Sequence, residues 1–133
     1  MKQNQKVMLV EDDNILRPLI AGFLADYDIL PVANGQQALD LIKEVSDIDL
    51  VLCDYHMPGW NGVETIKRLH AVSPHTRFIL MSGSEPNELS TLALEAKADA
   101  WLNKPFIEEI LVEQIKSLLK ADSHIPQRVT VLT

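Results

Sequence analysis

Residues 50–62 read Leu50-Val51-Leu52-Cys53-Asp54-Tyr55-His56-Met57-Pro58-Gly59-Trp60-Asn61-Gly62. Four apolar residues end abruptly at a carboxylate, and turn chemistry follows at once in Pro58, Gly59, Asn61 and Gly62. That is the pattern of a buried strand delivering an acid to a loop. In an open parallel α/β sheet, ligands bind beyond the carboxyl ends of the strands, which makes Asp54 a candidate nucleophile or metal ligand. A lone Asp after a strand more often just ends the strand or caps a turn. The decision rests on what the other strands deliver.

Upstream, Lys6 to Val10 is short, apolar and β-rich, and it stops at Glu11, Asp12 and Asp13. Asn14 reads as the N-cap of a helix whose stripe, Ile15, Leu16, Leu19, Ile20, Phe23 and Leu24, runs to about Ala25, with Pro18 distorting its first turn. Asp28 to Val32 reads as a strand, and Pro31 within it requires a sheet edge. Asn34 with Gln37 resembles a capping box before the helical spacing of Ala38, Leu41, Ile42 and Val45. Downstream, Asn61 with Glu64 opens a third helix that Pro74 stops. Arg77 to Met81 is a strand leading to Ser82 and Gly83, and Pro86 opens a helix with Leu89, Leu92, Ala93 and Ala96 facing inward. Ala100 to Leu102 is a fifth strand ending at Asn103-Lys104-Pro105, and a last helix spans about Ile107 to Lys120, with Leu111, Ile115 and Leu118 facing in. Strand and helix alternate five times, so right-handed crossovers predict an α/β, three-layer (βα)5 sandwich with a parallel sheet covered on both faces.

With 133 residues the chain is long enough for one core, and one domain is expected. No window reaches a membrane span, and Met1 to Lys6 runs directly into the first strand without a secretion signal, so a cytoplasmic location is expected. The single cysteine, Cys53, reads as a small buried residue. A formal charge of -7 argues against direct nucleic-acid binding and suits a divalent cation or a basic protein partner.

The strand ends bring together Glu11, Asp12, Asp54, Ser82 and Lys104. Clustered carboxylates repel, and a hard divalent cation with oxygen ligands relieves them, so a magnesium site is expected, with Mn2+ as its substitute. Mg2+ keeps waters and favours phosphate oxygens, so a phosphoryl ligand is expected beside it. Lys104 supplies a point charge and Ser82 a hydroxyl donor, both suited to the oxygens of a phosphoryl group in transfer.

From Lys6 to Lys120 the chain resembles a receiver domain of a two-component response regulator of the chemotaxis-regulator type. The resemblance rests on Val10-Glu11-Asp12, on Asp54 followed by Met57-Pro58 and Gly62, on Ser82-Gly83 and on Lys104-Pro105-Phe106, in order and at receiver-like spacing. It implies a flavodoxin-like five-stranded sheet of order 2-1-3-4-5, a receiver unit over 1–121, and a C-terminal tail or linker over 122–133. It further implies that Asp54 is the phosphoacceptor, taking a phosphoryl group from a sensor histidine kinase or phosphotransfer protein. Asp12 would bind Mg2+ directly, Glu11 through water, and His56 through its backbone carbonyl. Lys104 would pair with Asp54 and its phosphoryl group, Ser82 would be the switch hydroxyl, and Trp101 the switch aromatic moving inward with it. Output to an effector, or homodimerisation, would use the fourth helix, fifth strand and fifth helix. The role is regulatory rather than enzymatic. His56 and Ser84 are candidates for tuning the lifetime of the phosphoaspartate.

Three residues depart from the family pattern. Trp101 stands where Tyr or Phe is usual, Lys97 where Gly is frequent after the fourth helix, and Trp60 is expected exposed on the loop, as a partner contact. Two other classes compete with the receiver reading. A magnesium-dependent phosphatase with an aspartyl-phosphate intermediate would place an acid two residues after the nucleophile, where this chain has His56. An interaction module keeping only the fold would not need competent residues at all five site positions. The tail, with its β-branched run Val129 to Val131, is compatible with a linker, an added strand or disorder.

Overall fold

The computed structural model describes residues 4–120 and 130–132. The elements alternate as β1 (Lys6–Val10), α1 (Leu16–Phe23), β2 (Asp28–Val32), α2 (Gly35–Glu44), β3 (Leu50–Asp54), α3 (Gly62–Val72), β4 (Arg77–Ser82), α4 (Pro86–Ala96), β5 (Ala100–Asn103), α5 (Glu108–Lys120) and β6 (Thr130–Leu132). The described strands form one sheet of order β2-β1-β3-β4-β5-β6, parallel throughout. The expected 2-1-3-4-5 core is therefore present. It is extended by β6, whose Thr130, Val131 and Leu132 lie in register with Ala100, Trp101 and Leu102. Of the three readings open for the tail, an added strand holds for these residues; the rest of 122–133 lies outside the described residues.

The sheet is buried on both faces because its strands are apolar at alternate positions of both parities. Met8, Val10, Val51, Cys53, Phe78, Leu80 and Trp101 point to one side, where Ala38 and Ile42 of α2, Ile66 and Leu69 of α3, and Leu89 and Ala93 of α4 cover them. Val7, Leu9, Leu50, Leu52, Ile79, Met81 and Leu102 point to the other, under Ile20 of α1 and Leu111, Ile115 and Leu118 of α5. The reversal of strand order at β1 puts α1 and α2 to α4 on opposite faces, since right-handed crossovers on either side of that point land on opposite sides of the sheet, and α5 packs on the α1 face. Pro31 sits on β2, the edge strand, where a missing N–H interrupts no inner ladder.

Helix starts differ in detail from the sequence pattern. Asn34 and Asn61 do cap α2 and α3, accepting from the amides of Gln37 at 2.8 Å and Glu64 at 2.9 Å. The Gln37 side chain closes its box on the Ala33 amide, one residue early, while Glu64 turns away to Arg68. At α1 the expected cap Asn14 is replaced by Asp13, whose Oδ1 accepts from Ile15 and Leu16. Those two bonds hold the Asp13 carboxyl below its ordinary pKa. Pro18 is the third residue of α1, where the first-turn N–H groups have no helical partner. Lys97 closes α4 in the left-handed region at φ 62°, the conformation for which a glycine is usually kept.

Candidate functional site

Strand register builds the site. Val10 lies beside Cys53 and Asp54 beside Met81, so Glu11 emerges next to Asp54, and Ser82 one residue beyond; Ser82 in turn aligns with Asn103, which puts Lys104 one step further along. All these residues leave the sheet at one edge.

Asp54, the last residue of β3, is buried at 5% exposure. Its backbone is held from both sides. The Tyr55 amide donates to Met81 O at 2.8 Å, and the Gly62 amide closes the loop on Tyr55 O at 2.8 Å. Gly62 is required by space: a Cβ there would lie 2.6 Å from Asp54 O and 2.7 Å from Leu80 Cδ1. Gly59 supplies the turn between them at φ 78°.

Glu11, 1% exposed, and half-buried Asp12 stand beside Asp54, and one oxygen from each of the three carboxylates falls within 4.8 Å of the others. Lys104 Nζ bridges two of the acids, at 2.7 Å from Glu11 Oε1 and 2.9 Å from Asp54 Oδ1. Three carboxylates against one ammonium leave the cluster short of positive charge. Burial raises the Asp54 pKa, opposed by the hydrogen bond and charge of Lys104 and reinforced by Asp12. Burial likewise raises that of Glu11 against the Lys104 hydrogen bond, with the Asp54 charge adding to the rise. Burial works against the charge on Lys104, but its hydrogen bonds to Glu11 and Asp54 and their charges together raise its pKa. This donor set of hard carboxylate oxygens with excess negative charge fits a divalent cation of the Mg2+ or Mn2+ kind.

Ser82 is fully buried, and its hydroxyl is turned to Ser84: the two Oγ atoms lie 2.8 Å apart, and the Ser84 amide donates to Ser82 Oγ at 3.1 Å. Asn103 Nδ2 donates to Ser84 O at 2.8 Å and the Lys104 amide to Ser82 O at 2.8 Å, tying the loop after β4 to the end of β5. Trp101 lies on the opposite face from the α5 side, 6% exposed, and its indole N–H finds no hydrogen-bond partner among the described residues. The His56 side chain is exposed, its ring edge-on to Tyr55 at 4.7 Å between centroids. Trp60, expected exposed, is half-buried: Arg68 sits 4.1 Å from its ring centroid, and Gly35 abuts it.

Sequence reasoning found the acids, the lysine and both serines. It missed the Ser82–Ser84 bond, the Asn103 clamp, and the contact of Arg17 with Glu11 O at 2.8 Å. Asn103 was within reach as a polar residue between a buried strand and a site lysine. Nothing local marks Arg17, whose role depends on how α1 packs.

Comparison with known proteins agrees with this geometry. Residues 7–116 match the family model of the response regulator receiver domain. The transcriptional regulatory protein CpxR of Escherichia coli (strain K12) is 36% identical over 118 residues, covering 86% of this chain and 49% of that protein. The chain therefore spans about half the length of the curated relatives first matched. A chemotaxis protein CheY homolog of Campylobacter jejuni is 28% identical over 123 residues, covering 89% of this chain and 95% of its own. Among solved structures, Vibrio cholerae chemotaxis protein CheY4 superposes with a TM-score of 0.81 at 25% identity, over 87% of this chain and 99% of that one. No helix among the described residues is long and apolar enough to cross a membrane. The register that gathers Glu11, Asp12, Asp54, Ser82 and Lys104 at one sheet edge and the match over 7–116 lead to one conclusion: the chain belongs to the response regulator receiver domain family.

Proposed function

We propose that the chain is a phosphorylation switch whose acceptor is Asp54. The observation that supports this most is the Asp54 carboxylate at the end of β3, with Glu11 and Asp12 clustered beside it and the Lys104 ammonium at 2.9 Å. An Asp54 oxygen attacks the phosphorus of a phosphohistidine on a sensor kinase or phosphotransfer protein. The P–N bond breaks, its electron pair stays on the imidazole nitrogen, and an acyl phosphate forms on Asp54. Lys104, already within reach of Asp54 Oδ1, follows the charge onto the phosphoryl oxygens, and the Ser82 hydroxyl donates to another. Mg2+ or Mn2+ would be held by the carboxylates of Asp12 and Asp54, by Glu11 through water and by the His56 carbonyl, and would neutralise the entering phosphoryl charge.

The acyl phosphate carries roughly 1.5 to 2 negative charges where the Asp54 carboxylate carried one, and its new acceptor oxygens draw Lys104 and Ser82 toward it. Because their backbones are bonded to each other, β4 and β5 shift together, and the α4–β5–α5 surface transmits the change to an effector or to a second copy of the chain. The receiver unit spans 1–121, with 122–133 as a tail; the role is regulatory, in the cytoplasm, without nucleic acid or membrane as direct partner. His56, two residues after the acceptor, and Ser84 set how long the phosphoaspartate survives. The test is intact mass after incubation with acetyl phosphate and Mg2+. Wild type gains one phosphoryl group, while Asp54→Asn and a chelator-treated sample gain none. A gain that persists in Asp54→Asn refutes the assignment.

A further inference from the structure

We propose that Ser84 is a latch on the switch, a positioning residue whose hydroxyl holds that of Ser82 away from Asp54 in the unphosphorylated protein. The inference rests on the function proposed above and adds how the site is held off. A buried hydroxyl left without a partner is costly, so Ser82, fully enclosed, does not leave one partner without gaining another. Its present partners are the Oγ of Ser84 at 2.8 Å and the amide of Ser84 at 3.1 Å. Either hydroxyl of the pair can be the donor, and in both cases Ser82 leaves Ser84 when its own proton turns to a phosphoryl oxygen on Asp54. Ser84 and the phosphoryl group therefore compete for one side chain, and every increment of Ser84 binding is subtracted from the switched state.

The latch has a fixed anchor and a free joint. Ser84 is anchored through its carbonyl to Asn103 Nδ2 at 2.8 Å, and Ser82 through its carbonyl to the Lys104 amide at 2.8 Å. Between them Gly83 is exposed, and apart from its two chain neighbours no atom of the described residues lies within 4 Å of where a Cβ would stand. Both anchors are consecutive residues of one strand end, and the second carries the ammonium that contacts Asp54. When Lys104 follows the phosphoryl group, it moves the peptide next to Asn103, and the Asn103–Ser84 bond is strained at the moment Ser82 acquires its new acceptor. Release of the latch is thus coupled to charge arriving at Asp54 through two adjacent residues.

The experiment is the rate of phosphoryl gain by intact mass with acetyl phosphate and Mg2+, for wild type, Ser84→Ala, Ser84→Thr, Ser82→Ala and the double variant Ser82→Ala/Ser84→Ala. Ser84→Ala is expected to gain about fivefold in rate, the equivalent of one neutral hydrogen bond of about 1 kcal/mol. Ser84→Thr, which keeps the hydroxyl, stays near wild type, and the gain disappears in the Ser82→Ala background. In the unphosphorylated protein, hydrogen exchange at the Ser84 amide is slow in wild type and fast in Ser82→Ala, because Ser82 Oγ is its acceptor. Ser84→Ala no faster than wild type, or an equal acceleration with Ser82 absent, overturns the latch and leaves the phosphorylation reading standing. Wild type that gains no phosphoryl group overturns that reading, and the latch falls with it.

Discussion

Replacing Lys104 by Met removes the ammonium that bridges Glu11 and Asp54 while keeping most of the side chain's bulk. The contacts removed are 2.7 and 2.9 Å long, and the three side chains are 20%, 1% and 7% exposed, so water replaces little of what is lost. Taking one partner from a buried ion pair costs about 3–5 kcal/mol. A ceiling comes from the escape open to the acids, since protonating one carboxyl of ordinary pKa at pH 7 costs about 4 kcal/mol. The expected loss in metal-free buffer is therefore about 3–4 kcal/mol at pH 7 and about 1.5 kcal/mol at pH 5, where the same proton is cheaper. The sign follows from linkage. Without Lys104 the folded-state pKa values of Asp54 and Glu11, already raised by burial, rise further, so the folded state binds more protons than the unfolded one and stability falls as pH increases. Urea unfolding of both proteins at the two pH values measures this. Mg2+ should restore part of the loss, because it binds only the folded cluster, and Asp54→Asn in the Lys104→Met background should restore part of it without metal. A loss under about 0.5 kcal/mol at both pH values, within the range of ordinary surface changes, or a loss that grows toward acid, refutes the account.

Gly62→Ala forces a methyl group against Asp54 O and Leu80 Cδ1 and is expected to cost about 1–3 kcal/mol in urea unfolding, with a slower phosphoryl gain because the acceptor's own backbone is displaced; unchanged stability would show that the contact yields freely. Asn34→Ala and Asn61→Ala each remove a single helix cap and should cost about 1 kcal/mol apiece, checked by the same titration and refuted by a change indistinguishable from zero. Mg2+ affinity, followed by calorimetry, should begin to fall as pH drops while still above the ordinary carboxylate range, because protons compete for Asp54 and Glu11, whose pKa values burial raises. A flat affinity between pH 7 and 5 contradicts that reading.

The alternation of apolar strands and amphipathic helices was legible along the chain, and with it the layered fold, because a strand buried on both faces is apolar at every position and a covering helix repeats every three to four. The gathering of candidate groups was legible from the strand ends taken together: Asp54 alone could simply have ended its strand, but Glu11, Asp12, Ser82 and Lys104 follow other apolar runs toward the same edge of a parallel sheet. Pro31 announced the edge strand through its missing N–H, and Gly62 marked a tight approach whose partners, Asp54 O and Leu80, became identifiable only in three dimensions. Helix starts were less legible. Asp13 and Asn14 are equally good acceptors by type, and the loop path from β1 decides which one reaches the free amides of α1.

Apart from the Lys104–Asp54 pair, which the family resemblance implied, the pairings were invisible in sequence, since they join residues that share a register and not a segment. Lys104 meets Glu11 across 93 positions, and that contact exists because β1 and β5 end at one level with β3 and β4 between them. Ser82 faces Ser84, and Trp101 lies already buried, because rotamers are chosen by the space left between packed elements, a quantity with no local signature. Sequence by itself determined which groups reach the site, through strand pattern and turn chemistry. Tertiary structure alone decided which of them touch, because contact depends on register and on the volume the core leaves at the sheet edge.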